Sequence, residues 1–318
     1  QVCQKRLISN DLEIQNAVPQ GTAFLFVRRL RNPGETQSPR PALSSMRIAH
    51  ISDLHFGHHD AAAAAGLAAD LLHQAPDLVV ASGDFTQRGT PAEFEMARDF
   101  LASLAAPVFA VPGNHDLGRN LVRRFFDPYG LYRRTIAPDI EPFLETDGVA
   151  LAGLNTTRRA LPDRDWSNGS INRHQLTSLE SAFARASPGA LRIVVAHHPL
   201  MTPLLPTLKP TLKVRRAALA LEAFSRVGVR LVLSGHFHLS FVRRYEHRAI
   251  TEGIPPGPRE AAAAPVLVCQ ASSVISDRLR GEPNAYNLID IAGGIIDVHV
   301  REWQDGQWVT REEAEIAA

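Results

Sequence analysis

Asp53-Leu54-His55, Gly83-Asp84, Gly113-Asn114-His115-Asp116, His197 and Gly235-His236-Phe237-His238 form five short blocks, each just behind an apolar run. Carboxylate, imidazole and amide side chains are the ligand types that suit divalent metals with mixed oxygen and nitrogen coordination. Two such ions about 3.5–4 Å apart can clamp both oxygens of an in-line phosphoryl displacement. The chemistry on offer is therefore dinuclear hydrolysis of a phosphate ester. Gly83, Gly113 and Gly235 sit directly before a candidate ligand, where the chain must turn sharply and a Cβ would be costly.

The elements that must position these blocks follow from the apolar pattern. Strands are expected at residues 47–52, 77–81, 108–111, 149–154, 191–196 and 229–234, and helices at 61–74, 93–104, 174–186 and 217–227. Beyond them the chain is richer in strands, at 266–270, 286–291, 295–301 and 307–310. Such alternation predicts βαβ units, and the β-rich tail a second, partly antiparallel sheet. Each block falls just past a strand end: Asp53 after Ile51, Asp84 after Val80, Asn114 after Val111, His197 after Val195, His236 after Leu233. Ligands gather at that edge of an open α/β sheet, because the strands hold its loops rigidly.

In their order the blocks read D-x-H, G-D, G-N-H-[DE], H and G-H-x-H, and this resembles the calcineurin-like metallophosphoesterase superfamily. The resemblance covers about residues 46 to 300 and implies a four-layer α/β/β/α sandwich, two mixed sheets flanked by helices. It implies that Asp53, His55 and His238 hold one metal, Asn114, His197 and His236 a second, and Asp84 bridges them. A bridging carboxylate offsets the repulsion between two dications, and a shared water becomes the attacking hydroxide at near-neutral pH. His115 is expected beside the leaving group as proton donor, with Asp116 orienting its imidazole. Mixed oxygen and imidazole donors suit Mn, Fe, Zn or Co, and the resemblance implies Mn or Fe first with Zn next; no cysteine biases the set toward a soft metal. His198 follows His197 as a supporting or structural residue, the swapped assignment remaining open. His50 reads as a satisfied core histidine and Cys269 as core packing, while His58 and His59 are either solvent-exposed or in contact with substrate.

Composition sets the limits. Lys+Arg at 34 against Asp+Glu at 33 give a net charge of +1, so no whole-molecule field favours duplex nucleic acid. Only two cysteines, Cys3 and Cys269, fit a reducing, cytoplasmic setting. No stretch is long and apolar enough for a transmembrane segment. Residues 1–45 read as a weakly ordered leader, Met46 being the first methionine and a suspected native start, and 46–318 as one catalytic domain.

Two segments compete to choose the substrate. Residues 117–147 carry Arg119, Arg123, Arg124, Arg133 and Arg134 among Phe125, Phe126, Tyr129 and Tyr132, a pattern that could bind phosphate oxygens and stack a base. Alternatively this is a solvated helix whose aromatic face packs on the core. Residues 199–216 alternate Leu200, Met201, Leu204, Leu205, Leu208 and Leu212 with prolines and cations, as a lid touching an acyl chain or membrane surface would. The stretches 83–89, 93–98 and 107–113 resemble the bacterial cyclic-nucleotide phosphodiesterase-like branch. A phosphodiesterase acting on a small nucleotide-containing substrate is the first expectation, with cyclic nucleotide as first guess. UDP-diacylglucosamine hydrolysis is the second, and a non-catalytic metal-binding scaffold the third.

Overall fold

A computed structural model describes residues 45–118, 121–159, 168–203, 213–246, 265–277, 279 and 281–311. The expected leader and most of the expected lid, including Leu204, Leu205, Leu208 and Leu212, lie outside the described residues. Among the described residues, twelve strands form two six-stranded sheets. In the first, β1 (Met46–Ile51), β2 (Leu78–Ala81) and β3 (Val108–Ala110) run parallel, and the antiparallel β10 (Ala285–Ala292), β11 (Ile295–Gln304) and β12 (Gln307–Thr310) extend it beyond β1. In the second, β5 (Val149–Leu154), β6 (Leu191–Ala196), β7 (Val229–Ser234) and β9 (Val266–Gln270) are parallel, with β4 (Phe143–Thr146) and β8 (Phe241–Tyr245) as antiparallel edges.

Strand alternation sends side chains to two different cores. From β1, Ile48 joins Val80, Phe109, Ile193 and Leu231 between the sheets, while Ala49 and Ile51 face the helices α1 (Ala61–Gln74) and α2 (Pro91–Ser103). Both faces are buried, which is why these strands read as continuous apolar runs. On the far side α5 (Arg173–Arg185) and α6 (Ala217–Arg226) place Leu176, Phe183, Leu221 and Phe224 over Val194 and Val232. The expected α/β/β/α sandwich is the observed architecture.

Helix starts are chemically marked. Asp60 accepts from the N–H groups of Ala62 and Ala63, and Thr90 with Glu93 forms a reciprocal capping box behind Pro91. Two strands were not expected from the sequence, β4 and β8, while residues 117–147, read alternatively as one solvated helix, hold two short ones, α3 (Leu121–Phe126) and α4 (Gly130–Thr135). The β4–β5 hairpin turns on Asp147-Gly148, both at positive φ (45° and 78°), and that Asp-Gly pair was its sequence signal. No helix among the described residues is long and apolar enough to cross a membrane.

Candidate metal centre

The five blocks leave the C-terminal ends of β1, β2, β3, β6 and β7 and converge. Backbone bonds tie the loops together: Asp53 N–H donates to Gly83 O at 3.0 Å, His55 N–H to Asp84 O at 2.9 Å and Gly235 N–H to His197 O at 2.9 Å. Nine non-glycine residues among those described have positive φ, and five of them are Asp53, His55, Asp84, His236 and His238. A left-handed backbone is costly for such residues, and its concentration here marks a site where surrounding structure enforces the geometry. Close approach explains two glycines, since a Cβ on Gly113 would overlap the Asp84 carboxylate and one on Gly235 would overlap Ser52 and Asp53.

In the first set, His238 Nε2 lies 3.3 Å and His55 Nε2 3.6 Å from Asp53 Oδ1, and the two Nε2 atoms are 3.2 Å apart. Asp53 Oδ2 is occupied by Ser52 Oγ–H and His236 N–H, whereas the buried Oδ1 accepts no hydrogen bond. A buried carboxylate oxygen without a donor, facing two ring nitrogens, is an arrangement that a cation reconciles.

The second set centres on His197. Its Nδ1 bonds Ser82 O at 2.8 Å, which leaves Nε2 for ligation, 3.2 Å from both Asp84 Oδ2 and Asn114 Oδ1. The His236 ring lies 5.2 Å from that of His197. Asp84 Oδ2 also stands 3.9 Å from His55 Nε2, so this one oxygen reaches toward both sets. The seven expected ligand residues thus lie together, and the ligand atoms of Asp53, His55 and His238, and those of Asp53, Asp84 and His197, lie within 4.8 Å of one another, a spacing that could hold a metal ion.

Electrostatics agree with that grouping. Burial would push the His197 imidazole down, but the Asp84 and Asp53 carboxylates and the Ser82 carbonyl together outweigh it and raise the group to about 9. Burial would raise Asp53 and Asp84, yet the surrounding imidazoles hold both carboxyls below their ordinary range. His236 is pushed down to about 3 by burial and by the charge of His197.

His115 stands at the edge of this centre, its ring 4.8 Å from His55 and edge-on, while its N–H donates to Asp84 Oδ1 at 2.8 Å. Asp116 does not orient it as expected. The His115 Nδ1 bonds Gln87 O at 2.7 Å, whereas Asp116 accepts from Thr86 N–H and Oγ1–H at 3.0 Å and from Gly113 N–H at 2.8 Å. His115–Leu117 is a single 3₁₀ turn, in which neighbouring side chains project about 120° apart, so adjacency in sequence separates the two. Burial and the Asp84 charge raise the Asp116 carboxyl to about 7, against those three donors.

The expected substrate wall divides. Arg119 lies outside the described residues. Arg123 is exposed and lines a shallow cavity with Leu117, Gly118 and Arg134. Arg124 is instead buried, donating to the carbonyls of Gly118, Arg158 and Arg159, so it fastens loops together and does not present a fork to substrate. Tyr132 is core, packed on Phe85, and Tyr129 bonds Asn155 and Thr157. Of the expected lid, Leu200 and Val214 are buried in the helix-covered core of the second sheet.

Sequence reading missed a sixth loop at this edge. Asn155-Thr156-Thr157 follows β5, and Thr156 Oγ1 bonds His198 Nδ1 at 2.7 Å, holding that ring 4.7 Å from His236. Its position after a strand end was the available signal. His50 is a satisfied core histidine, bonded to Ser82 and Asn287.

Comparison with known proteins places this geometry. The profile described as calcineurin-like phosphoesterase matches residues 46–240. A probable cyclic nucleotide phosphodiesterase of Synechococcus is 29% identical over 214 residues, covering 63% of this chain and 76% of that protein. A cAMP/cGMP dual specificity phosphodiesterase of Mycobacterium tuberculosis is 28% identical over 275 residues, covering 80% of this chain and 78% of its own length. Among solved structures, the purple acid phosphatase of yellow lupin shares the fold, with a TM-score of 0.56 at 14% identity over 84% of this chain. The chain spans about half of that longer protein, 53%. With the profile matching more than half of its 318 residues, the chain belongs to the calcineurin-like phosphoesterase family and is a phosphoric ester hydrolase.

Proposed function

We propose that the protein is a dinuclear metal-dependent phosphodiesterase acting on a nucleotide-containing substrate, with cyclic nucleotides as the first candidates. The observation that carries this reading is the reach of Asp84 Oδ2 toward His197 on one side and His55 on the other. Asp53, His55 and His238 would hold one divalent ion, Asn114, His197 and His236 the other, and Asp84 both. Mn, Fe and Zn all suit donors that are oxygen or imidazole nitrogen, and Mn or Fe are taken first, as the family resemblance implies. Such ions, when bound, supply Lewis acidity toward phosphoryl oxygens and lower the pKa of water.

The chain's own residues supply orientation and a proton. With His115 Nδ1 fixed on the Gln87 carbonyl, Nε2 is the atom that can exchange a proton with a departing oxygen. Ser82 O fixes the His197 ring in the same way. Nucleotide preference rests on the printed names of the two relatives, both cyclic nucleotide phosphodiesterases. A cytoplasmic setting rests on cysteine usage alone. The lipid-pyrophosphate alternative gains nothing from the described part of residues 199–216, whose apolar Leu200 and Val214 are core. A scaffold that had lost activity predicts missing ligands, and all seven are gathered.

Turnover of bis-p-nitrophenyl phosphate, cyclic AMP and detergent-dispersed UDP-diacylglucosamine by manganese-loaded protein tests the reading. Preference for cyclic AMP supports it. Preference for the lipid substrate would replace it, and turnover of none after loading with Mn, Fe or Zn would remove the catalytic assignment.

A further inference from the structure

Helix α3 is built inside out. Its one buried side chain is Arg124, held by the carbonyls of Gly118, Arg158 and Arg159, while Leu121, Val122, Phe125 and Phe126 are 59%, 68%, 42% and 86% exposed. A surface helix ordinarily turns its apolar stripe to the core and its charges outward. Four of the ten exposed large hydrophobic residues among those described sit on this one six-residue element. Scattered apolar residues need no explanation, but a cluster of this kind marks a contact surface.

The surrounding charge selects the occupant. Of the four arginines in residues 121–136 Arg124 is buried, which leaves three at the surface beside one acid, Asp127, in a chain whose net charge is only +1. Arg123, Arg133 and Arg134 are exposed, and Asp127 lies 3.6 Å from Arg134. A second copy docked through the same face would set arginines against arginines, since a two-fold contact brings a patch onto itself. An anionic lipid surface meets both features, taking apolar tips into the headgroup boundary while guanidinium groups meet phosphates. We infer that α3 with its flanking arginines is a contact for anionic membrane surfaces.

Sedimentation of the full chain with vesicles of phosphatidylglycerol and phosphatidylcholine in equal parts, against phosphatidylcholine alone, tests this. Wild type should pellet with the anionic vesicles and dissociate on raising salt to about 0.5 M. Val122→Ser with Phe126→Ser should cut the bound fraction more than about tenfold with an unchanged melting temperature, since both side chains are exposed. Arg133→Gln with Arg134→Gln should weaken binding from the charge side without touching the apolar tips. Equal binding to both vesicle types, or wild-type binding by the Val122/Phe126 variant, would overturn the inference. So would a dimer that this variant dissolves in a protein that binds no vesicles, which would assign the face to a second copy.

Discussion

Asp84 and His197 face each other across 3.2 Å, both buried, with the carboxylate on the Nε2 that Ser82 leaves available. The pair stabilises the protonated imidazole, which is raised to about 9, although burial opposes it. Metal ligation needs the neutral ring, so the ion must displace that proton. At pH 7.5, Mn²⁺ binding to metal-free protein should release about one proton from His197, and the release should decline as pH passes about 9. Titration calorimetry in buffers of different ionisation enthalpy reads this directly. Identical apparent enthalpies in all buffers would show that the pair is not protonated before loading.

Asp84→Ala removes the carboxylate whose Oδ2 stands 3.2 Å from His197 Nε2 and 3.9 Å from His55 Nε2. Metal content per chain should fall from two toward one or none, and turnover by more than about 10²-fold. Elemental analysis of the purified variant checks the first figure. A variant that keeps two ions and the wild-type rate would overturn the bridging assignment.

The residues that gather at the candidate metal centre were legible because metal chemistry admits few residue types, and the strands carrying them because both faces are buried and read as apolar runs. Edge elements were not. Phe143–Thr146 and Phe241–Tyr245 are edge strands that bury little, and the latter carries Arg243 and Arg244, so the apolar signal is thin. Roles that depend on where a side chain turns also escaped. Gln87 holds His115 through a carbonyl that every residue possesses, and Thr156 meets His198 across 42 positions of sequence, so neither contact has a composition to betray it. Arg124 read as a phosphate ligand because a guanidinium fork binds three carbonyls as readily as it binds an anion.

Asp116→Ala should lower stability without changing the leaving-group dependence of the rate. Its carboxylate joins Thr86, in the loop after β2, to Gly113, in the loop after β3, and the substitution leaves buried donors without an acceptor. A loss of about 2–3 kcal/mol is expected in denaturant unfolding of the metal-free chain. Wild-type stability together with an altered leaving-group dependence would restore Asp116 to the orienting role expected from sequence.

His115→Ala tests the proton donor. The residue gives its backbone N–H to Asp84 and its ring Nδ1 to Gln87, and alanine keeps the first contact while removing the second. Both metals should therefore remain. The rate should fall about 10²–10⁴-fold for an alkyl phosphodiester, whose departing alkoxide needs a proton, and far less for bis-p-nitrophenyl phosphate, whose nitrophenolate leaves unaided. Equal losses on the two substrates with metal content intact would mean that His115 acts on the phosphoryl group and not on the leaving oxygen. In that case Nε2 would serve as a charge-stabilising donor, and the Gln87 carbonyl would matter only for aiming it.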